Sequence, residues 1–198
     1  NALTGINRFI YDNEPEKATS YLYKFSRLLR NSLRGSRNDQ ISLQEELDSI
    51  KWYVELESLK FEHAPSLEII NESKQNIESI LLPPMLIQPL VENAIRHGAE
   101  RVNESIHIWI EIKEEKSSLL VINVIENAPS FIENMDSPIS QGLSMATKII
   151  QERLEMLNEE AGIDSCKFGF ERIVYSGFSA SKSWLTLPLK LNSERIES

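Results

Sequence analysis

Pro83-Pro84-Met85-Leu86-Ile87-Gln88-Pro89-Leu90-Val91-Glu92-Asn93-Ala94-Ile95-Arg96-His97-Gly98 is the most informative segment of this chain. Its punctuation predicts a helix that starts after the double proline and stops at the glycine. Met85, Leu86, Pro89, Leu90, Ala94 and Ile95 share an apolar side of such a helix. Asn93 then falls in the middle of a hydrophobic helix, where an amide is a poor helix former and costly to bury unpaired. Two readings follow: a hydrogen-bonded core amide, or an amide with a polar task.

The periodicity of the chain changes near residue 63. Before it, apolar residues recur at helical spacing. Ala18, Tyr21, Leu22, Phe25, Leu28, Leu29 and Leu33 make one series. Asn13 is its expected cap, with Glu16 as capping-box partner and Pro15 in the first turn, where a missing N–H does no harm. Gly35-Ser36-Arg37-Asn38-Asp39 interrupts the pattern. Ser42-Leu43-Gln44-Glu45 is a second capping box, and Leu43, Leu47, Ile50 and Val54 run from it along one stripe. Trp52, Tyr53, Leu56, Leu59 and Phe61 widen that stripe. A helix apolar over so much of its girth is expected to pack against both the second domain and another subunit. Arg27, Arg30, Arg34 and Arg37 lie on roughly one face of the preceding helix. A solvated face is the ordinary reading; a docking surface for an acidic partner or lipid headgroups is the other.

After His63-Ala64-Pro65 the pattern is that of strands. Leu67-Glu68-Ile69-Ile70 is short and apolar. Ile106, Ile108, Ile110 and Ile112 alternate with His107, Trp109, Glu111 and Lys113. Leu119 to Ile125 is a continuous apolar run, as a central strand requires. A long helix is expected from Leu143 to Leu157, followed by strands over Phe168–Tyr175 and Trp184–Leu191. The expected fold is α+β: a helical segment over residues 1–63, then a two-layer α/β sandwich with a mixed sheet over residues 64–198.

A net charge of −9, most of it after residue 63, argues against a nucleic-acid partner, which needs basic surface. It leaves room for a triphosphate, since a few local donors and a metal suffice. The single cysteine, Cys166, excludes an internal disulfide framework and reads as a core or loop residue rather than a reactive thiol. His63, His97 and His107 do not form a metal-ligand cluster. No apolar run reaches the ~18 residues of a membrane span, and no signal peptide is visible. The chain opens on Asn1 rather than Met, so a membrane sensor segment is expected upstream.

The stretch from Gln88 to Gly98 resembles the N box of the GHKL (Bergerat) ATP-binding fold, shared by sensor histidine kinases, gyrase-type ATPases and Hsp90. Its wording is similar to that of the LytS-like branch of histidine kinases. The resemblance implies that Asn93 holds a Mg²⁺ ion bridging the phosphates of ATP, a task suited to a neutral oxygen. It places Arg96 and His97 near the phosphates, with a helix-end structural role as the alternative for His97. Glu126-Asn127-Ala128-Pro129-Ser130-Phe131 stands where these kinases read Asp-Asn-Gly-Pro-Gly-Ile, whose acid accepts a hydrogen bond from the adenine amine. Glu126 keeps the carboxylate with roughly 1.5 Å more reach. Ala128 and Ser130 replace both glycines. Glu152-Arg153-Leu154-Glu155-Met156-Leu157 matches the family wording and puts Gly142-Leu143-Ser144-Met145-Ala146 on a Gly-x-Gly-x-Gly motif of which only Gly142 survives. Backbone N–H groups of such a motif face phosphates. Ser130–Gln141 would be the lid.

Asn1-Ala2-Leu3 resembles the tail of the family's Pro-His-Phe-Leu-Phe-Asn-Ala-Leu stretch, so the phosphoacceptor histidine is expected just upstream of Asn1 and no catalytic residue lies within the chain. The implied protein is the cytoplasmic portion of an inner-membrane sensor histidine kinase. It would dimerise through residues 1–63, bind Mg-ATP and signal to a response regulator. It would meet the membrane only through its sensor segment and bind no nucleic acid. A degenerate kinase acting as a dimeric signalling scaffold is the alternative, favoured by the lost glycines. A gyrase-type hydrolase is disfavoured, because Pro89 stands where those ATPases carry their general base.

Overall fold

Helix α3 (Leu43–Ser58) starts as its capping box dictates: the Glu45 N–H donates to Ser42 Oγ at 3.1 Å, and the Ser42 N–H donates back to Glu45 Oε2 at 3.0 Å. The computed structural model describes residues 2–35, 40–61, 63–99, 105–115, 119–127 and 145–189. Two helices precede α3, α1 (Ala2–Tyr11) and α2 (Pro15–Gly35). Asn13 does not cap α2 as expected. It takes a left-handed φ of 57°, and its N–H donates to the Ile10 carbonyl, so it closes α1. Asparagine is among the few residues that adopt this conformation readily, which makes it equally suited to either job.

Ala18 and Tyr21 of α2 are buried with Ile6, Phe9 and Leu56, and Phe25, Leu28 and Leu59 pack around them. Ile10 and Tyr11 of α1 and Leu22, Tyr23 and Leu29 of α2 remain exposed. Of the arginine face, Arg27 is committed locally, its guanidinium 4.1 Å over the Trp52 ring. Arg30 is exposed, and the side chains of Arg34 and Arg37 lie outside the described residues.

Seven strands form among the described residues. Two are short, β1 (Ile41–Ser42) and β3 (Leu81–Leu82), and pair antiparallel. The main sheet comprises β2 (Ser66–Asn71), β4 (His107–Glu115), β5 (Leu119–Glu126), β6 (Lys167–Tyr175) and β7 (Phe178–Pro188). Its order is β2-β4-β5-β7-β6, with β2 parallel to β4 and the remaining pairs antiparallel, the mixed sheet that was expected. Strand β7 starts six residues before the expected Trp184. Ser176 and Gly177, both at positive φ, make a two-residue hairpin that sets Phe178 opposite Tyr175. The small residues Ser179, Ala180 and Ser181 hide this extension from an apolar pattern. The hairpin tip is tied back to the sheet, where the Tyr175 hydroxyl donates to Glu111 Oε1 at 2.9 Å.

One face of the sheet carries the core. Ile108, Ile110 and Ile112 of β4, Leu120, Ile122 and Val124 of β5, and Leu185 and Leu187 of β7 meet a helical layer. That layer consists of α3, α4 (Gln88–Ala99) and α5 (Met145–Ala161). Leu43, Leu47, Ile50 and Val54 of α3 are buried in it, so the sandwich core reaches back across residue 63. Leu56, at the other end of α3, belongs to the small α1–α2 core.

Tyr21 is fully buried, and its hydroxyl makes no hydrogen bond among the described residues. An unpaired buried hydroxyl costs about 1–3 kcal/mol. Tyr21→Phe should therefore raise the thermal midpoint, the reverse of the usual sign for a core substitution. A lowered midpoint would show that the hydroxyl is paired in solution.

Candidate functional site

Helix α4 begins at Gln88, three residues later than its sequence announces, and runs through Gly98 to Ala99. Pro84 to Ile87 form an irregular approach in which Met85 takes φ 59°. Met85 is 39% exposed, so it leaves the apolar side on which the sequence placed it, while Leu86, Leu90, Ala94 and Ile95 are buried. The reason is Glu46 of α3. Its Oε2 accepts the Met85 N–H at 2.9 Å, and its Oε1 accepts the Ile87 and Gln88 N–H groups at 3.0 and 3.2 Å. Pro89 follows in the first turn and has no N–H to satisfy, and the Leu90 N–H closes onto the Ile87 carbonyl at 2.9 Å. From α5, the Arg153 guanidinium donates to the Pro84 carbonyl. Burial holds the Glu46 carboxyl above the usual carboxylate range, and the surrounding N–H groups, those of Met85 and Gln88 foremost, offset only part of that rise. Sequence reasoning passed over Glu46; the available signal was a glutamate on the apolar stripe of Leu43, Leu47 and Ile50.

Asn93 is half-buried, beside the stripe of Leu90, Val91, Ala94 and Ile95 rather than within it. The core-amide reading is thereby corrected. A helical residue at the edge of the buried stripe keeps its amide accessible and incurs no full burial penalty. Its Oδ1 accepts a hydrogen bond from Arg96 Nη2 at 2.6 Å. Arg96 is itself exposed; His97 contributes its backbone to α4, and its side chain lies outside the described residues.

Strand β5 carries the second element. Leu120, Ile122 and Val124 face the helices, so by strand alternation Glu126 ends β5 on the same side. It is buried, with 6% of its surface exposed. Its cross-strand partners are Ile108 and Ser181. Ser181 Oγ is buried and has no hydrogen-bond partner among the described residues. No motif marks Ser181; its only sequence signal is a small hydroxyl residue just before the apolar run of the last strand. Asn127 is occupied differently. Its Oδ1 accepts the His107 N–H at 2.8 Å and its Nδ2 donates to the Ser105 carbonyl at 3.2 Å, so both ends of the amide tie β5 to β4.

Helix α4, which carries Asn93 and Arg96, packs against both α5 and β5, the strand that Glu126 ends. The expectations for Ala128, Gly142, Leu143 and Ser144, and for the lid at 130–141, fall outside the described residues. Helix α5 begins at Met145, directly after them. Among the described residues no three His, Cys, Asp or Glu side chains gather as metal ligands. His63 is exposed, and His107 is exposed with its Nδ1 2.6 Å from Ser66 Oγ.

The same order of elements occurs in proteins of known class. Residues 1–65 match the histidine kinase family. The blue-light activated histidine kinase of Erythrobacter litoralis EL346 is similar in fold, with a TM-score of 0.53 at 13% identity over 89% of this chain and 50% of that one. Its separate histidine kinase domain gives 0.50 at 14% identity over 87% and 75%. The helical pair, mixed sheet and three-helix layer thus have the α+β fold of a histidine kinase catalytic region.

Within that class the similarity is to one branch. The sensor protein LytS of Staphylococcus saprophyticus is 30% identical over 202 residues, which cover the whole chain and 33% of LytS. The sensor histidine kinase/phosphatase LytS of Staphylococcus aureus MRSA252 is 32% identical over 127 residues, 64% of the chain and 21% of that protein. Over its whole length the chain is thus a homologue of LytS sensor histidine kinases, and its first 65 residues match the histidine kinase family. It spans about a third of the length of the first of these relatives. No helix among the described residues is long and apolar enough to cross a membrane.

Cys166 is buried, and burial pushes its thiol up to about 11. Near pH 8 it should react with a disulfide reagent only as fast as the fold opens, and at full rate in denaturant. Rapid labelling of the native chain would contradict its burial.

Proposed function

We propose that this chain is the Mg-ATP-binding core of a two-component sensor histidine kinase, acting in phosphoryl transfer to a histidine. The observation that carries the reading is the polar end of an otherwise apolar sandwich. Glu126 and the Ser181 hydroxyl, which has no hydrogen-bond partner among the described residues, lie on the helix-facing side of β5 and β7, and α4, which packs against β5, presents a half-buried Asn93. Such a donor and acceptor pair fits a purine edge, and a neutral amide oxygen fits a metal that takes most of its shell from phosphates and water. When bound, Mg²⁺ neutralises phosphate charge in the transfer. In this reading Asn93 Oδ1 holds the metal and Arg96 exchanges Asn93 for a phosphate. Glu126, with Ser181, takes the adenine amine, and the N–H groups near Gly142, Leu143 and Ser144 meet the phosphates.

Calorimetry should show Mg-ATP binding, weakened by the side chains at Ala128, Ser130, Ser144 and Ala146. Each costs on the order of 1 kcal/mol where a glycine conformation is needed. Asn93→Ala should abolish the Mg²⁺ dependence. Ser181→Ala should weaken nucleotide binding several-fold without lowering the thermal midpoint, since its hydroxyl makes no hydrogen bond among the described residues. The lost glycines favour the second reading, a degenerate dimeric scaffold, and no binding by calorimetry would establish it.

The partners belong to the same proposal: a second copy of the chain, a response regulator, and a membrane sensor segment that would make this the cytoplasmic portion. Ile10, Tyr11, Leu22, Tyr23 and Leu29 give the α1–α2 pair an exposed apolar side that a second copy would cover. Light scattering should report a dimer, and Leu22→Asp combined with Leu29→Asp should give a monomer. A wild-type monomer at micromolar concentration would exclude dimerisation through this surface.

A further inference from the structure

Glu46 is 1% exposed, and each of its hydrogen bonds to backbone goes to the approach and first residue of α4. Three N–H groups converge on one carboxylate. Two of them flank the bend at Ile87, and the third belongs to Met85, whose left-handed backbone is unusual for a side chain of that kind. An apolar residue at position 46 would leave all three donors without a partner. The chain would then have no reason to hold the Met85 conformation or to start α4 at Gln88. Arg153 grips the neighbouring Pro84 carbonyl from the opposite helix. The start of α4 is therefore set by side chains from α3 and α5, while Pro89 gives it no donor of its own.

Asn93 stands five residues beyond Gln88, about 7.5 Å along the axis. An α-helix is stiff over that length, so the placement of its first turn is the placement of the amide. We infer that Glu46 is a positioning residue for Asn93, fixing through the first turn of α4 where the amide oxygen meets the metal. The inference rests on the reading of Asn93 as the metal-holding amide. It adds a residue from α3, outside the sequence motifs of the nucleotide site.

The test uses the whole chain, a non-hydrolysable ATP analogue with and without Mg²⁺, and amide hydrogen exchange. Glu46→Gln should stay folded, lose protection at Met85, Ile87 and Gln88, and lose about tenfold of the affinity gained from Mg²⁺. Its affinity without metal should be unchanged. Glu46→Asp, which keeps the charge at shorter reach, should fall between, and it replaces Glu46→Gln if that variant does not fold. Ile50→Val, a packing change in the same helix, should lower stability and leave the Mg²⁺-dependent gain intact. If Glu46→Gln exposes the three amides and keeps the full gain, Glu46 is only a structural cap and the inference fails, while the nucleotide reading stands. Unchanged protection at the three amides also overturns it. If the wild-type chain shows no metal-dependent binding, both fall together.

Discussion

One buried carboxylate ties the two halves of this molecule. Glu46 sits on α3, and α3 is packed at one end into the sheet core and at the other into the α1–α2 core. Through three N–H groups it also holds the start of α4. Removing such an acceptor leaves buried donors unsatisfied, which is costlier than any single apolar contact in the same layer. The helical layer is thus organised by one polar contact that hydrophobic packing alone does not supply. Packing is tolerant of small rotations; a carboxylate shared among three donors is not.

The sheet side is organised by the opposite means. Alternation sends isoleucines to the helices and polar residues to the other face, where Glu111 accepts hydrogen bonds from Asn123 and Tyr175 and pairs with Lys113 at 2.9 Å. Burial alone would raise the Glu111 carboxyl, but these donors outweigh it and hold it below the usual range. The Tyr175 contact anchors the β6–β7 hairpin across the sheet. Beneath this hairpin β7 reaches past the end of the apolar pattern and sets Ser181 opposite Glu126. Gly169 serves the same strand pair: the indole of Trp184 lies where its Cβ would be, at 2.4 Å from the nearest ring atom, so only glycine fits.

Asn93 and Glu126 gain meaning from their positions relative to the apolar pattern. Asn93 stands beside the buried stripe, which leaves its amide available. Glu126 stands on the buried parity, so a carboxylate is carried to the inner side of the sandwich. Asn127, one residue on, falls on the other parity and spends its amide on β4. A single step along a strand separates a candidate ligand residue from a structural tie.

The elements and their class are legible in local sequence patterns. Period-two alternation over Ile106–Ile112, helical spacing from Leu43 to Val54 and the Ser42–Glu45 box are local properties, and local properties are readable without a partner. The sequence also placed Asn93 and Glu126 among the residues to watch, through the wording of the motifs around them. Tertiary structure decided what depends on contacts between residues distant in the chain. Glu46 reaches Met85 across 39 residues and Gln88 across 42, moving the start of α4 away from the double proline that announced it. Asn13 ends one helix rather than starting the next, its left-handed φ turning its N–H back onto the Ile10 carbonyl. Ser181 is a candidate only because β7 sets it beside Glu126. Nothing in a residue's own neighbourhood records which distant donor or acceptor will be buried against it, and that pairing made this site.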